Sequence, residues 1–157
     1  MGWPHFVMDD DTGRAPQWGL VHVELRYIKA MLQSLRVAGL DRVMGNLYVP
    51  NLQLANAFGF GQLAQDPNAD LADIQTEFAR NLVQAEDVAA LTDVLCWLDN
   101  NSYWNVQMPV DAREPKLDTS LTRDAVVDTV ARLRPTSNSE LPVPVEPSQW
   151  LDDLRAT

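Results

Sequence analysis

The acidic run near the start of the chain is the first feature with the chemistry to bind a metal ion or a sugar. Asp9, Asp10 and Asp11 are consecutive, and aspartate is a ligand that Ca²⁺ prefers. Neighbouring side chains of a strand or turn point in different directions, so three consecutive carboxylates rarely converge on one ligand. We therefore expect a solvated acidic loop and predict no metal site there.

The histidines and the cysteine lack the spacing of a catalytic or metal site. His5 and His22 are far apart in the sequence, neither lies near Cys96, and we expect both to be structural. Cys96 stands in an apolar run, which favours a buried and unreactive thiol. The sequence also lacks the common motifs for phosphate, dinucleotide, zinc and calcium binding and the esterase motif. It therefore predicts no catalytic residue, no metal and no cofactor.

Three residues near the end of a predicted short strand have the chemistry that sugar recognition requires. Asn46, Tyr48 and Asn51 combine amide groups with an aromatic ring, which suit sugar hydroxyls and ring faces. We assign them as candidate substrate-binding residues, and simple capping of the loop is the competing interpretation. Trp97 lies among leucines and valines and is expected in the core. Trp104 is expected to be exposed and available for stacking.

Composition and charge limit the classes of partner. A chain of 157 residues is long enough for one domain with a sizeable core. Its formal net charge of -10 repels phosphate backbones and anionic lipid, so nucleic acid and membrane surfaces are not expected partners. No apolar run approaches the roughly 18–20 residues of a membrane span, and the first residues lack the pattern of a signal peptide. A soluble, cytoplasmic protein is the default expectation, with secretion left open.

The spacing of apolar residues predicts a mainly helical chain. Apolar side chains recur at intervals of three and four, which places them on one face of a helix, in five segments of the sequence. The predicted helices begin near residues 20, 52, 70, 86 and 119 and end near residues 39, 65, 82, 101 and 134. A further short helix is predicted over residues 148–155, with Trp150 and Leu151 docked on the core.

Capping residues and strand patterns complete the predicted fold class. Gly39 is expected as a left-handed cap that ends the first helix, and Asp70 as the N-cap of the third. Short strands are predicted over residues 5–8 and 42–49, the second ended by Pro50. The predicted fold is therefore mainly α, a helical domain with one or two short strands over residues 1–134. Residues 135–157 are predicted to form a proline-rich linker and the short C-terminal helix.

The segment after Pro50 carries a resemblance to a known enzyme family. It reads NLQLANAFGFGQLAQDPNADLADIQTEFARNL. It is similar to a stretch near the C-terminus of alpha-glucuronidases and related barrel glycoside hydrolases, which contains N-x-Y/F-x-x-G-x-L-A-W-D-P before an acidic-capped helix. Gln65 departs from this pattern, because the family has tryptophan there. The matching residues are Asn56, Phe58, Gly61, Leu63, Ala64, Asp66 and Pro67, followed by Ile74, Phe78 and Ala79.

The resemblance covers about residues 20–100 and implies the last βα part of a (β/α)8 barrel with a C-terminal helical extension. In such enzymes the catalytic carboxylates lie on strands upstream of this segment, and the carboxyl ends of strands face the substrate. The resemblance therefore implies a non-catalytic C-terminal part or subunit that completes or covers a barrel. Its expected partners are a larger barrel chain or another copy of itself, with carbohydrate as a further ligand. The alternative is a helical protein–protein interaction module without sugar chemistry.

Two glycines in the second predicted helix indicate close packing. Gly59 and Gly61 each weaken a helix by about 1 kcal/mol relative to alanine. Two such costs in one helix are typical of a surface on which another backbone approaches closely. The sequence therefore predicts association of this chain through residues 42–64.

Overall fold

The computed structural model describes residues 21–40, 42–44, 52–102, 115–141 and 145–156. Within these ranges the chain forms six α-helices and no strand, which confirms the mainly helical fold class. None of the described helices is long and apolar enough to cross a membrane. A 3₁₀ turn, Ala85–Asp87, precedes the fourth helix. The helices are α1 (Leu25–Val37), α2 (Leu54–Gln65), α3 (Leu71–Arg80), α4 (Val88–Asn101), α5 (Arg123–Arg132) and α6 (Pro147–Arg155).

Local capping determines where several helices begin and end. Gly39 has a φ of 76° and follows α1 in the left-handed conformation expected of it. The Asp70 side chain accepts hydrogen bonds from the backbone N–H groups of Ala72 and Asp73, which confirms it as the N-cap of α3. Thr122 caps α5 through the backbone N–H of Ala125. These three boundaries therefore follow from residues close in sequence.

The predicted strands are not seen in the described residues. Of the strand expected over residues 42–49, only residues 42–44 are described, and they do not form a strand; Val43 alone has a bridge position. The strand expected over residues 5–8 lies outside the described residues, as do residues 45–49. The described chain pairs its backbone in one other isolated bridge, between Val83 and Pro135. The expected resemblance to the last βα part of a (β/α)8 barrel stays a prediction.

The helices pack in sequence order around one hydrophobic core. Each of α1 to α4 contacts the next helix, α5 lies on α4, and α6 lies on α5. Phe78 of α3 stands at the centre of an aromatic group, with its ring centroid 5.5 Å from that of Phe58 and 5.5 Å from that of Trp150. Helices α2, α3 and α6 therefore meet at one side chain.

The C-terminal helix is part of this core. Trp150 and Leu151 are fully buried, as expected of residues that dock a terminal helix. The chain that leads to α6 is held along the end of α3, since the N–H of Thr136 donates to the carbonyl of Leu82 at 3.0 Å and the N–H of Gln84 donates to that of Arg134 at 3.0 Å. The expected domain boundary at residue 134 stays a prediction.

The two glycines of α2 have different surroundings. A Cβ atom at Gly59 would overlap the Cδ atoms of Leu25, so α1 lies against this position. A Cβ atom at Gly61 would meet nothing within 4 Å, and the residue is exposed. The close approach expected at both glycines therefore occurs within the described chain at Gly59 alone.

Candidate functional site

The residues assigned to sugar binding from the sequence lie outside the described residues. Asn46, Tyr48 and Asn51 fall between residues 44 and 52, so their assignment stays a prediction. Asp9, Asp10 and Asp11, His5 and Trp104 lie outside the described ranges as well. The described chain resumes at Leu52, whose carbonyl accepts a hydrogen bond from the N–H of His22 at 2.8 Å. The segment before α1 is therefore paired with the start of α2.

A group of buried polar side chains lies where α1, α2, α3 and α4 meet, and we call it the buried polar cluster. Sequence analysis did not identify it, although Asp99 follows Leu91 and Leu95 at intervals of four and so belongs to the buried face of α4. All its members are at most 4% exposed. They are Glu24, Arg26, Asn56, Gln75, Cys96 and Asp99.

Asp99 connects three helices within this cluster. One carboxylate oxygen accepts a hydrogen bond from the backbone N–H of Arg26 at 3.3 Å, and the other accepts from Nε2 of Gln75 at 3.2 Å. The first N–H groups of a helix have no partner inside the helix, and Arg26 lies in the first turn of α1. The carboxylate of α4 therefore caps α1 from a distance of 73 residues in sequence.

Asn56 fixes the start of α1 from the other side. Its Oδ1 accepts a hydrogen bond from the backbone N–H of Glu24 at 2.8 Å, and the asparagine has no exposed surface. The Arg26 side chain donates from Nε to the carbonyl of Pro115 at 2.9 Å, which ties the same helix to the segment before α5. The contact with Glu24 gives Asn56 a role in positioning α1 against α2.

The thiol in the cluster is buried and hydrogen-bonded. Cys96 is 3% exposed, and its Sγ donates a hydrogen bond to Oε1 of Gln75 at 2.8 Å. Burial raises the pKa of the Cys96 thiol to about 12, and the negative charge of Asp99 acts in the same direction. The burial agrees with the expectation from the sequence. Among the described residues no group of three histidine, cysteine or carboxylate side chains is arranged to hold a metal ion.

An apolar groove of about 600 Å³ is lined by residues of α4, α5 and α6, and we call it the α4–α5–α6 groove. Val127 lines this groove and is 63% exposed. Trp97 was expected in the enclosed core but is only partly buried, because its position on α4 faces this opening. The lining residues are Trp97, Leu98, Arg123, Val126, Val127, Val130, Ala131, Leu154 and Arg155.

A second, more polar cleft of about 720 Å³ lies between the end of α3 and the start of α4. Its hydrogen-bonding groups include Thr76, Thr92 and Thr136, with Arg80 at its side. None of its described lining residues is aromatic. The described lining of this cleft therefore offers hydrogen-bonding groups for sugar hydroxyls. It offers no aromatic ring face for a sugar to stack on.

Comparison of the chain with protein-family models, with curated proteins and with solved structures finds no match. The resemblance to barrel glycoside hydrolases therefore rests on the residues of the motif alone.

Proposed function

We propose that this chain is a non-catalytic part of a carbohydrate-active, glycoside-hydrolase-like protein and that the exposed side of α2 binds a larger barrel chain. The observation that carries the proposal is the exposed Gly61 on a helix without a charged residue, LANAFGFGQLAQ. A surface helix of a globular domain usually carries charged side chains on its outer face. An uncharged outer face therefore fits a surface that a partner covers.

The spacing of small residues on α2 supports close approach of that partner. Ala57 and Gly61 are four residues apart and so lie on the same face of the helix, and neither is buried. Glycine and alanine leave room for another backbone to come near. The partner class comes from the resemblance over residues 20–100, which in barrel glycoside hydrolases lies at the end of the catalytic barrel.

The polar contacts of two motif residues, the buried Asn56 and the exposed Asp66, support a positioning role for this segment. Asn56 holds the start of α1, and Oδ1 of Asp66 accepts a hydrogen bond from the N–H of Asn68 at 2.9 Å in the turn after α2. Both residues therefore use their polar groups to fix the ends of helices. An element that supports a barrel would use its polar groups in this way, with the hydrolytic carboxylates on the larger chain.

The test is affinity purification with the full chain as bait, with mass spectrometry of the retained proteins. We expect the natural chain to retain a barrel glycoside hydrolase and to hydrolyse no aryl glycoside alone. Gly61→Leu should reduce the retained hydrolase about tenfold, because a leucine at a close backbone contact is overpacked. Circular dichroism checks that the variant folds, which the open space around Gly61 allows. A natural chain that retains no barrel protein would contradict the proposal.

The second candidate is a helical protein–protein interaction module without sugar chemistry. The α4–α5–α6 groove favours it, because most of its lining residues lie beyond residue 100 and so outside the segment that carries the resemblance. Retention of a partner that is not carbohydrate-active, with no hydrolase among the retained proteins, would select this second function.

A further inference from the structure

We infer that the α4–α5–α6 groove binds an amphipathic helix of a partner protein, with carboxylates on the polar side of that helix. This surface is separate from the exposed side of α2, and none of its lining residues belongs to α2. The inference therefore stands independently of the proposed barrel partner.

The floor and rim of the groove have the character of a helix-binding surface. Val126 and Val130 form a buried floor at 8% and 5% exposure, whereas Val127 beside them is 63% exposed. Trp97 supplies a large, partly buried ring from α4. Aromatic side chains in such positions contribute more to binding than most other residues at protein interfaces. The groove thus offers an apolar surface that includes one aromatic side chain.

The length of the groove fits two turns of a docked helix. Its lining residues on α5 extend from Arg123 to Ala131, which corresponds to about 12 Å at 1.5 Å per residue. A partner helix spans that distance with apolar residues at positions i, i+4 and i+7, the usual pattern of helices bound in grooves. A small ligand is normally enclosed on most sides, whereas the 63% exposure of Val127 shows that this groove is open along α5.

The charges beside the groove indicate the polar chemistry of the occupant. The described lining contains two arginines and no carboxylate, although the whole chain has 12 basic and 22 acidic residues. Arg155 is held in place by Asp152 at 2.7 Å and by the carbonyl of Leu133 at 2.7 Å, so its charge is largely balanced. Arg123 is exposed and has no ion pair within the described part of the chain. Its guanidinium is therefore the group that a partner carboxylate would meet.

The probes are two synthetic helical peptides of about 15 residues, the length at which an isolated helix begins to be stable. Both carry leucines at the i, i+4 and i+7 positions; one has glutamate and the other has lysine at the outward positions. Binding to the full chain is measured by fluorescence anisotropy at physiological salt, where charges more than about 8 Å from the peptide are largely screened. We expect the glutamate peptide to bind although the chain has a net charge of -10.

Three variants separate the groove from the rest of the surface. Val127→Glu should weaken binding of the glutamate peptide about tenfold or more, because it puts an unpaired charge into the apolar groove. Arg123→Glu should weaken it about three- to tenfold and leave the lysine peptide no weaker. The matched control is Val37→Glu, which adds the same charge at a valine that is 90% exposed on α1, outside the groove. It should leave binding of the glutamate peptide unchanged.

Four outcomes would overturn the inference. One is a natural chain that does not bind the glutamate peptide. Another is an equal loss of binding in Val37→Glu and Val127→Glu. In the third, dodecanoate and not the peptide shifts the nuclear magnetic resonance signals of Trp97 and Val127, which would assign the groove to a small amphiphile. In the last, the natural chain dimerises and Val127→Glu makes it monomeric, which would assign the groove to a second copy.

Discussion

Asp99 has no exposed surface, yet it accepts hydrogen bonds from the backbone of α1 and the side chain of α3. Removing its carboxylate leaves the N–H of Arg26 and the amide of Gln75 buried without an acceptor at those positions. Leaving buried donors unpaired costs about 1–3 kcal/mol for each group. We expect Asp99→Ala to lower the free energy of unfolding by about 3 kcal/mol in urea denaturation.

The control for this prediction is on the same helix. Asp93 is exposed on α4, and surface substitutions usually change stability by about 0.5 kcal/mol or less. Asp93→Ala should therefore leave the urea midpoint almost unchanged. If both variants shift the midpoint equally, the cap that Asp99 provides for α1 contributes no stability of its own.

The buried thiol of Cys96 gives a dependence of stability on alkaline pH. The thiol of the unfolded chain ionises near pH ~8.5, whereas burial keeps the pKa in the folded chain at about 12. Between these values the unfolded state binds fewer protons, so the free energy of unfolding falls as the pH rises. Cys96→Ala lacks this effect. We expect the natural chain to lose stability relative to this variant above pH ~8.5 in urea titrations.

The ionisation of Tyr27 does not affect the comparison of the natural chain with Cys96→Ala. The pKa of Tyr27 is also raised, first by burial and then by the charge of Glu24, so it lowers stability at high pH in the same direction. That contribution is present in both proteins and cancels in the difference between them. Parallel stability curves for the two proteins across the alkaline range would show that Cys96 ionises equally in the folded and unfolded chains.

The helix boundaries at Asp70 and Gly39 were predictable because their signals are local, whereas the fifth helix was expected from residue 119 and begins at Arg123. Asp70 accepts hydrogen bonds from residues two and three positions ahead, and Gly39 adopts its left-handed φ immediately after α1. The start of α1 was different, because its N-cap residue Glu24 makes no side-chain cap. Asn56 and Asp99 supply the missing partners from other helices. A single sequence carries no local signal for contacts that depend on how helices pack.

The same reason explains which surfaces sequence analysis identified. Trp97 has the apolar neighbours of a core residue, and only the placement of α5 and α6 shows that it faces a groove. Arg123 and Arg155 are 32 residues apart in sequence and line one surface because α5 packs against α6. The predicted sugar-binding residues Asn46, Tyr48 and Asn51 lie outside the described residues, so the structure does not test them.

At the scale of one helix, the two glycines of α2 make a matched pair. Gly61→Ala should raise the free energy of unfolding by about 0.5–1 kcal/mol, because alanine favours the helix and nothing lies within 4 Å of its Cβ. Gly59→Ala should lower it by about 1–3 kcal/mol. Its Cβ would overlap Leu25, whose 1% exposure leaves little room to move.

Urea denaturation of the two alanine variants measures this difference. Both substitutions have the same helix propensity gain, so the difference between them isolates the contact of α2 with α1. Equal stabilisation by both variants would show that α1 can move away from Gly59 at no cost, and the packing of these two helices would then be looser than the structure indicates.

At the scale of the whole molecule, the segment that leads to the last helix, α6, is held against residues 82–87 in the middle of the sequence. Three contacts fix its approach: the bridge of Val83 with Pro135, the bond of Thr136 to Leu82, and the pair of Arg134 with Asp87 at 2.9 Å. Arg134 also lowers the pKa of Asp87 through its side-chain hydrogen bonds. This pair is partly exposed, so it orients the segment more than it stabilises the fold. The main contribution of the C-terminal part must come from the burial of α6.

Trp150 is the residue that tests this conclusion. It is fully buried, and its ring meets Phe78 edge to face at a centroid distance of 5.5 Å. Replacing a buried aromatic residue with alanine costs about 3–5 kcal/mol, a large part of the roughly 5–15 kcal/mol that stabilises a typical domain. Because α6 shares one core with α2 and α3, we expect Trp150→Ala to lower the unfolding temperature of the entire chain in a single transition, measured by calorimetry.

The control for Trp150→Ala is Trp150→Phe, which keeps an aromatic ring against Phe78 and removes the indole N–H. That buried group has no hydrogen-bond partner within the described chain, and an unpaired buried donor costs about 1–3 kcal/mol. Its removal offsets part of the lost packing, so Trp150→Phe should lower the unfolding temperature less than half as much as Trp150→Ala. Two separate transitions in Trp150→Ala, with the larger one unchanged, would show instead that α6 and the preceding linker fold as a unit of their own.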